Sequence, residues 1–299
     1  MNRLFLYSGL LFILILIFDT YDRDYNQTMI VSDQIIENES AVNTKQPPQT
    51  DSVRSAKSEK VQPNPKNVDT LESNKLIIKY DTNSGELLYS ELKDYAVDLG
   101  SDEKIIILDY EMKKYSATSN IQFLNTDIYP VYNKKNSSRI NTVVLESTNI
   151  AGVTLTKEIT LLDDTHQIAI RNTIKNNSTK SIDVRNYETI SRDDNNTASI
   201  MLPTYTGSAY YDEENKFSKL SFEDIIDNSQ TVKTQSSWIS MIEHYFFSAW
   251  LPTSSNKKTI YTSHNQDIYT IGSSTDYSQV PPSPVSYTHL TLPTSHNVG

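Results

Sequence analysis

From Leu76 onward the chain repeats one pattern, short runs of alternating apolar and polar side chains separated by turn residues. Along Gly152 to Leu162, Val153, Leu155, Lys157 and Ile159 fall on one side, and Thr154, Thr156, Glu158 and Thr160 on the other. Successive side chains of an extended chain point to opposite faces, so this is a strand with one covered and one wet face. Comparable runs occur at Leu76–Tyr80, Glu86–Tyr89, Lys104–Leu108, Ser119–Leu124, Asn141–Leu145, Gln167–Lys175 and Ser181–Thr189. The turn Asp81-Thr82-Asn83-Ser84-Gly85 between the first two, with Gly85 free to take a positive φ, marks a hairpin. Nineteen Tyr against 7 Gly fit pleated, packed strands better than flexible chain. The fold class expected is all-β, a sandwich of antiparallel sheets, with no 20 to 50 residue repeat. Helical candidates are confined to Ser221–Asn228 and part of Trp238–Trp250.

The N-terminus follows different rules. After Met1-Asn2-Arg3 an apolar run extends from Leu4 to Phe18, interrupted only by Tyr7, Ser8 and Gly9, and ends at Asp19, Asp22, Arg23 and Asp24. As a helix this run rises roughly 22 Å, short of a hydrocarbon core of about 30 Å, so flanking residues must take part. Bulky and charged residues from Phe18 to Tyr25 offer no small-residue cleavage site, which favours an uncleaved anchor over residues 4–22. Arg3 before the run and acidic residues after it orient the N-terminus toward the cytoplasm and the remainder outside. Residues 23–70, rich in Gln, Asn, Ser, Lys, Thr and Pro, lack apolar periodicity and read as a disordered linker. The globular domain is drawn at 71–284. The lipid bilayer is thus the first expected partner, through the N-terminal helix.

Charge and residue types exclude several function classes. With 27 Lys and Arg against 37 Asp and Glu, a net charge of −10 disfavours nucleic acid. The absence of Cys removes disulfides, thiolate metal sites and thiol catalysis. His166, His244, His264, His289 and His296 stand in no His-x-x-x-His or His-Glu-x-x-His arrangement, so no metal or other cofactor is expected. The carboxylate pairs Asp163-Asp164, Asp193-Asp194 and Glu213-Glu214 are sequence neighbours, which a strand turns to opposite faces. No nucleophile elbow or phosphate-cradling Gly-rich loop is present, and the chain is not read as an enzyme. Asn-x-Ser/Thr triplets at Asn26, Asn38, Asn136, Asn177 and Asn195 are what an Asn- and Ser-rich chain yields by chance.

One stretch is more specific. Thr206-Gly207-Ser208-Ala209-Tyr210-Tyr211 is followed by Phe217 to Asp224 and then by Trp238-Ile239-Ser240-Met241-Ile242-Glu243-His244-Tyr245-Phe246-Phe247-Ser248-Ala249-Trp250-Leu251-Pro252. This succession resembles the extracytoplasmic domain of the bacterial YidC family of membrane protein insertases (Oxa/YidC/Alb). The residues carrying the likeness are Gly207, Ala209, Tyr210, Trp238, Met241, Tyr245, Phe246, Ala249, Trp250 and Pro252. The Leu76–Leu92 hairpin and the Gly152–Thr160 strand resemble further parts of the pattern. Read physically, the aromatic block carries apolar area worth about 1.5–3 kcal/mol per side chain when buried, so core packing is expected, with partner contact the competing reading.

The resemblance implies a β-supersandwich on the periplasmic side of the inner membrane. The parent protein would insert and help fold inner-membrane proteins, with nascent membrane proteins and Sec translocon components as partners. It places the insertion chemistry in five later membrane helices, and no apolar run of 18 or more residues follows Phe18. Residues 285–299, containing Ser286-Tyr287-Thr288-His289-Leu290-Thr291-Leu292-Pro293-Thr294, resemble translated adapter sequence, so a non-native tail on a C-terminally truncated chain is expected. The competing function is a membrane-tethered carbohydrate-binding or carbohydrate-active sandwich protein, which needs convergent carboxylates or a Glu and His pair in an aromatic-lined cleft.

Overall fold

The computed structural model describes residues 67–124, 126, 128–194, 205–235, 237–251 and 257–282, together with the backbone of Leu290–Pro293. The anchor, most of the linker and Pro252 lie outside the described residues. In chain order the first elements are β1 (Val68–Glu72), β2 (Leu76–Asp81), β3 (Leu87–Ala96), β4 (Lys104–Asp109), the single helical turn α1 (Tyr110–Lys113) and β5 (Ser116–Phe123). Next come β6 (Asn133–Lys135), β7 (Thr142–Ile150), β8 (Val153–Leu161), β9 (Gln167–Asn176), β10 (Ile182–Asp193), β11 (Thr206–Asp212), β12 (Lys216–Leu220) and α2 (Phe222–Asp227). The chain continues through β13 (Thr231–Thr234), β14 (Trp238–Glu243), β15 (Phe246–Trp250), β16 (Lys258–Asn265), β17 (Ile268–Thr275), β18 (Ser278–Val280) and β19 (Leu290–Pro293).

These strands form three antiparallel sheets. The large one runs β1-β2-β3-β5-β10-β17-β16-β13, with β4 on β3 and β18 on β10; the others run β12-β11-β14-β15 and β19-β9-β8-β7-β6. β1 opens at Val68, close to the boundary drawn between linker and domain. β19 falls inside the stretch read as a tail and lies beside β9 in register Leu290–Ile170. One face of the large sheet packs on both smaller sheets, β5 on β9 and β10 and β17 on β14. A single apolar cluster fills the seam, with Ile121, Ile190, Ile260 and Ile271 meeting Leu155, Ile159, Ile170, Met241 and Trp250. The alternation read in β8 is observed: Val153, Leu155, Lys157, Ile159 and Leu161 are buried, and the residues between them half-buried.

α2 occupies the Ser221–Asn228 candidate. Its start is a capping box, the Ser221 hydroxyl accepting from the Asp224 amide while the Asp224 carboxylate accepts from the Ser221 amide. The second helical candidate is corrected. Trp238–Trp250 is a hairpin, β14 and β15, turning at His244 with φ +55°. Its apolar residues are dense enough to mimic a helical stripe, but Ile239, Met241 and Trp250 share one face by cross-strand register.

The large sheet is split. β3 meets β5 only at Leu87–Ala117 and otherwise pairs with β2 and β4. Lys157 fills the opening, its Nζ donating to the carbonyls of Ser119 in β5 (2.7 Å) and Ser84 in the β2–β3 turn (3.0 Å), over the Tyr132 ring at 5.0 Å. Gly85, at φ +68°, allows this. A Cβ there would lie 2.5 Å from the Lys157 Cδ.

Candidate functional site

The aromatic block straddles the small sheet. On the inner face of β11, β14 and β15 lie Tyr210, Ile239, Met241 and Trp250, all buried against the large sheet. The Trp250 indole N–H donates to the Thr189 carbonyl in β10 at 3.1 Å, and the Tyr115 hydroxyl donates to the Met241 carbonyl at 3.2 Å while sharing a 2.8 Å bond with Ser248. On the outer face Gly207, Ala209, Ser240 and Ala249 are small and buried, flanked by larger rings. Trp238 stacks on Tyr211 at 6.2 Å and lies 5.8 Å from Phe217, which is 49% exposed. Phe246 packs edge-on to Tyr95 at 5.9 Å, whereas Tyr245 at the hairpin tip is 73% exposed. The block therefore divides into a buried half, a half-covered outer row and one solvent-facing tyrosine.

Behind it sits a charged junction that residue spacing could not show. Arg192 of β10 is fully buried, its guanidinium 5.2 Å from the Tyr115 ring and 5.9 Å from the Phe222 ring. Its Nη1 stands 3.2 Å from a carboxylate oxygen of Glu243, which also holds Lys113 at 2.5 Å. The contact is an ion pair without hydrogen-bond alignment: both terminal nitrogens of Arg192 lack a hydrogen-bond partner. Charge rather than ring contact holds it, since an unpaired buried guanidinium would cost several kcal/mol.

Two further charged groups are enclosed between the large sheet and its covering layers. Burial lowers Lys157 to about 7, with the nearby Glu86 carboxylate acting in the opposite sense. Glu188 of β10 is raised by burial, opposed by Lys258, whose Nζ is 3.3 Å away, and by the Ser273 hydroxyl that donates to it. Among the described residues no group of three or more His, Asp or Glu could hold a metal ion. Asp163 accepts from Asn141 at 2.6 Å, Glu213 accepts from Thr234 and Gln235, and His264 stacks on Tyr269 at 4.6 Å. These groups serve turns and packing.

The sequence matches the family described as YidC periplasmic domain over residues 69–292. The chain belongs to that family. It is 28% identical to the membrane protein insertase YidC of Haemophilus ducreyi over 282 residues, covering 91% of this chain and 51% of the relative. The same-named protein of Methylobacillus flagellatus is 35% identical over 133 residues, 44% of this chain and 24% of the relative. The chain thus spans about half the length of the curated insertases it matches most fully. Among solved structures, a galactose mutarotase related enzyme from Lactobacillus acidophilus superposes with a TM-score of 0.54 at 6% identity, covering 77% of this chain and 98% of that one. A galactose mutarotase-like protein from Lactobacillus casei gives 0.50 at 9% identity, covering 76% and 99%. At such identities the likeness establishes a shared fold, and the family assignment rests on the YidC match. Among the described residues no helix is long and apolar enough to cross a membrane; the apolar run at Leu4–Phe18 lies outside them.

Proposed function

We propose that this chain is the anchor and periplasmic domain of an inner-membrane protein insertase that supports insertion and folding of membrane proteins, alone or beside the Sec translocon. The observation that carries the reading is the family match over residues 69–292, whose aromatic block joins two sheets through Trp250, Met241 and the Arg192–Glu243 pair. Leu4–Phe18 anchors the chain in lipid, residues 23–70 tether the domain above the membrane, and insertion itself belongs to the half of the relatives that this chain does not span. The half-covered outer row Phe217, Tyr211 and Trp238, with the exposed Tyr245, is the surface offered to a nascent chain or translocon subunit. Aromatic side chains with polar tips suit such contacts.

A sugar-processing enzyme is less well supported. The carboxylates of Glu188 and Glu243, on the covered side of the sandwich, are each paired with a cation, so they do not stand as a free acid and base across a cleft. The test is complementation of a YidC-depleted strain by a full-length insertase in which residues 71–284 replace the corresponding domain. Growth equal to the parent insertase is expected. A chimera that is stable and membrane-embedded yet fails to rescue overturns the reading.

A further inference from the structure

At one corner of the sandwich β5 finishes beside the start of β10, Phe123 opposite Val184, and β18 flanks β10 at Ser278. The β7–β8 turn joins this corner through Asn149, and the end of β9 joins it through the bond from Asn176 to the Val280 carbonyl. Here the β5–β6 loop exposes Leu124, Ile128, Tyr129 and Val131, and Tyr277 is exposed just before β18. The charges beside them, Lys180 and Arg185 against Asp183 and Asp276, cancel; Asp127 of the loop lies outside the described residues. The strand ends far from this corner differ. The β3–β4, β8–β9 and β16–β17 turns expose Asp98, Asp102, Glu103, Asp163, Asp164 and Asp267, and the exposed Leu99 stands among the first three. The acidic Asp212–Glu214 turn lies across the large sheet, bonded to Thr234 of β13.

The backbone of the apolar loop finds its partners within the protein. The Ile128 amide donates to the Thr126 hydroxyl at 3.2 Å, the Val131 amide to Asn149 Oδ1 at 3.1 Å and the Tyr132 amide to the Asn83 carbonyl at 2.8 Å. Asn149 Nδ2 in turn donates to the Tyr129 carbonyl at 2.9 Å, and Pro130, which is buried, has no amide proton. An amide carried out of water without such a partner has nothing to bond in hydrocarbon, so this pairing fits a loop that enters an apolar layer. The turn that holds Tyr132 also receives the start of the domain. The Asn67 carbonyl accepts from the Thr82 amide at 2.7 Å, next to Asn83, and Asp69 of β1 is ion-paired with Lys134 of β6. With Leu4–Phe18 in lipid, a tether over residues 23–66 spans roughly 35–40 Å, so a bilayer is held at high local concentration beside this corner.

We propose that this corner docks on a phospholipid bilayer, with Leu124, Ile128, Tyr129 and Val131 in the interfacial layer, Tyr277 beside them and the acidic turns facing away. The inference rests on the anchor reading above. Tyrosine suits that layer, its ring apolar and its hydroxyl wet. Arg185, whose guanidinium lies 4.8 Å from the Tyr277 ring, brings a cation to the level of the headgroups. Anionic headgroups would repel the six carboxylates of the distant turns, which fixes the orientation. A second copy of the chain fits less well. Four side chains fall far short of the roughly 800 Å² per partner that a stable protein interface buries, whereas a tethered lipid contact needs only weak affinity.

The full chain has no Cys, so one introduced thiol can carry a reporter. Ile128→Cys and Leu99→Cys are each labelled with nitrobenzoxadiazole and reconstituted in vesicles of phosphatidylcholine and phosphatidylglycerol, with or without lipid brominated in the upper acyl chain. Both leaflets have one composition, so either orientation gives the same reading. Quenching by brominated lipid should be roughly threefold or more stronger at position 128 than at position 99. Val131→Asp, at an exposed position, should weaken the quenching at 128 on the order of tenfold with an unchanged unfolding midpoint, and Leu99→Asp should leave it as it was. Flotation after a carbonate wash reads the anchor separately. A chain that floats yet is quenched equally at both positions, or is indifferent to Val131→Asp, overturns the docking proposal and leaves the anchor standing. So does a signal lost on diluting the chain among more vesicles, the mark of a second copy. A chain stripped by carbonate overturns the anchor reading, and the docking proposal with it.

Discussion

The two faces of the large sheet handle polar groups in opposite ways. On the covered face the charges are enclosed: Lys157 is held by two carbonyls, Glu188 by Lys258 and Ser273, and Arg192 by Glu243. On the opposite face the polar groups of the central strands are mostly hydroxyls and amides, and Tyr187 and Tyr261 leave theirs unpartnered among the described residues. A buried charge without a partner is untenable, so the covered face keeps ions only beside a counter-charge or carbonyls, each contact fixing how one layer sits on another. A half-buried hydroxyl can go without a protein partner at little cost because water serves instead. The first face is architecture, the second tolerates polar groups without protein partners, and each difference between them can be broken by mutation.

The largest effect is expected at the charged junction. Glu243→Gln strands the Arg192 guanidinium in a fully buried position and should cost roughly 3–5 kcal/mol, read as a lower urea midpoint at constant slope. A loss below about 1 kcal/mol would mean that water or the Tyr115 and Phe222 rings suffice to hold the cation. Next comes the outward face. Gly272→Ala places a methyl group 2.4 Å from the Tyr261 ring, so the ring must leave the backbone; a cost of about 1–3 kcal/mol is expected, read as a lower urea midpoint. An unchanged midpoint would show that the ring lifts from the backbone freely.

Lys157 supplies a titration. Its amine stands near 7 in the folded chain against 10.5 as the ordinary value. Between those two values the unfolded chain holds a proton that the folded chain lacks, so stability rises as pH increases from 7 toward 10.5 and levels off below 7. The slope contributed by this group is at most about 1.4 kcal/mol per pH unit. Unfolding midpoints of the chain and of Lys157→Met, measured across that window, should differ in slope by this contribution, and parallel curves would show that the enclosed amine keeps its charge.

Much of this contrast was legible in the sequence, and the illegible part has a common cause. The Ser221–Asn228 helical candidate holds α2, and the alternation of Val153, Leu155, Lys157 and Ile159 sets a lysine on the same face as three apolar residues. Its partners were not legible, because Ser84 lies 73 residues before Lys157 and only the packing of β8 beneath the β2–β3 turn joins them. Trp238–Trp250 read ambiguously because dense apolar residues satisfy helical and strand periodicities together, and the cross-strand pairing of Met241 with Ser248 decides between them. The outward row of the large sheet was illegible for the same reason: Thr118, Thr189, Gly272 and Tyr261 become neighbours only through three strand registers.

The smallest effect separates folding from partner contact within the aromatic block. Tyr245 and Trp250 belong to one hairpin, yet the first is 73% exposed and the second 2%. Tyr245 follows His244, which takes the positive φ of the turn, so its side chain is presented by the backbone and rests on nothing that a smaller residue would leave empty. Tyr245→Ser should therefore change stability by less than about 0.5 kcal/mol. If the hairpin tip meets a nascent chain or a translocon subunit, the same substitution in a full-length chimera should slow growth of the depleted strain while leaving the thermal midpoint of the domain in place. Full rescue by Tyr245→Ser would move the contact surface to the Phe217, Tyr211 and Trp238 row, whose rings support one another across three strands and so cannot be removed without cost to the sheet.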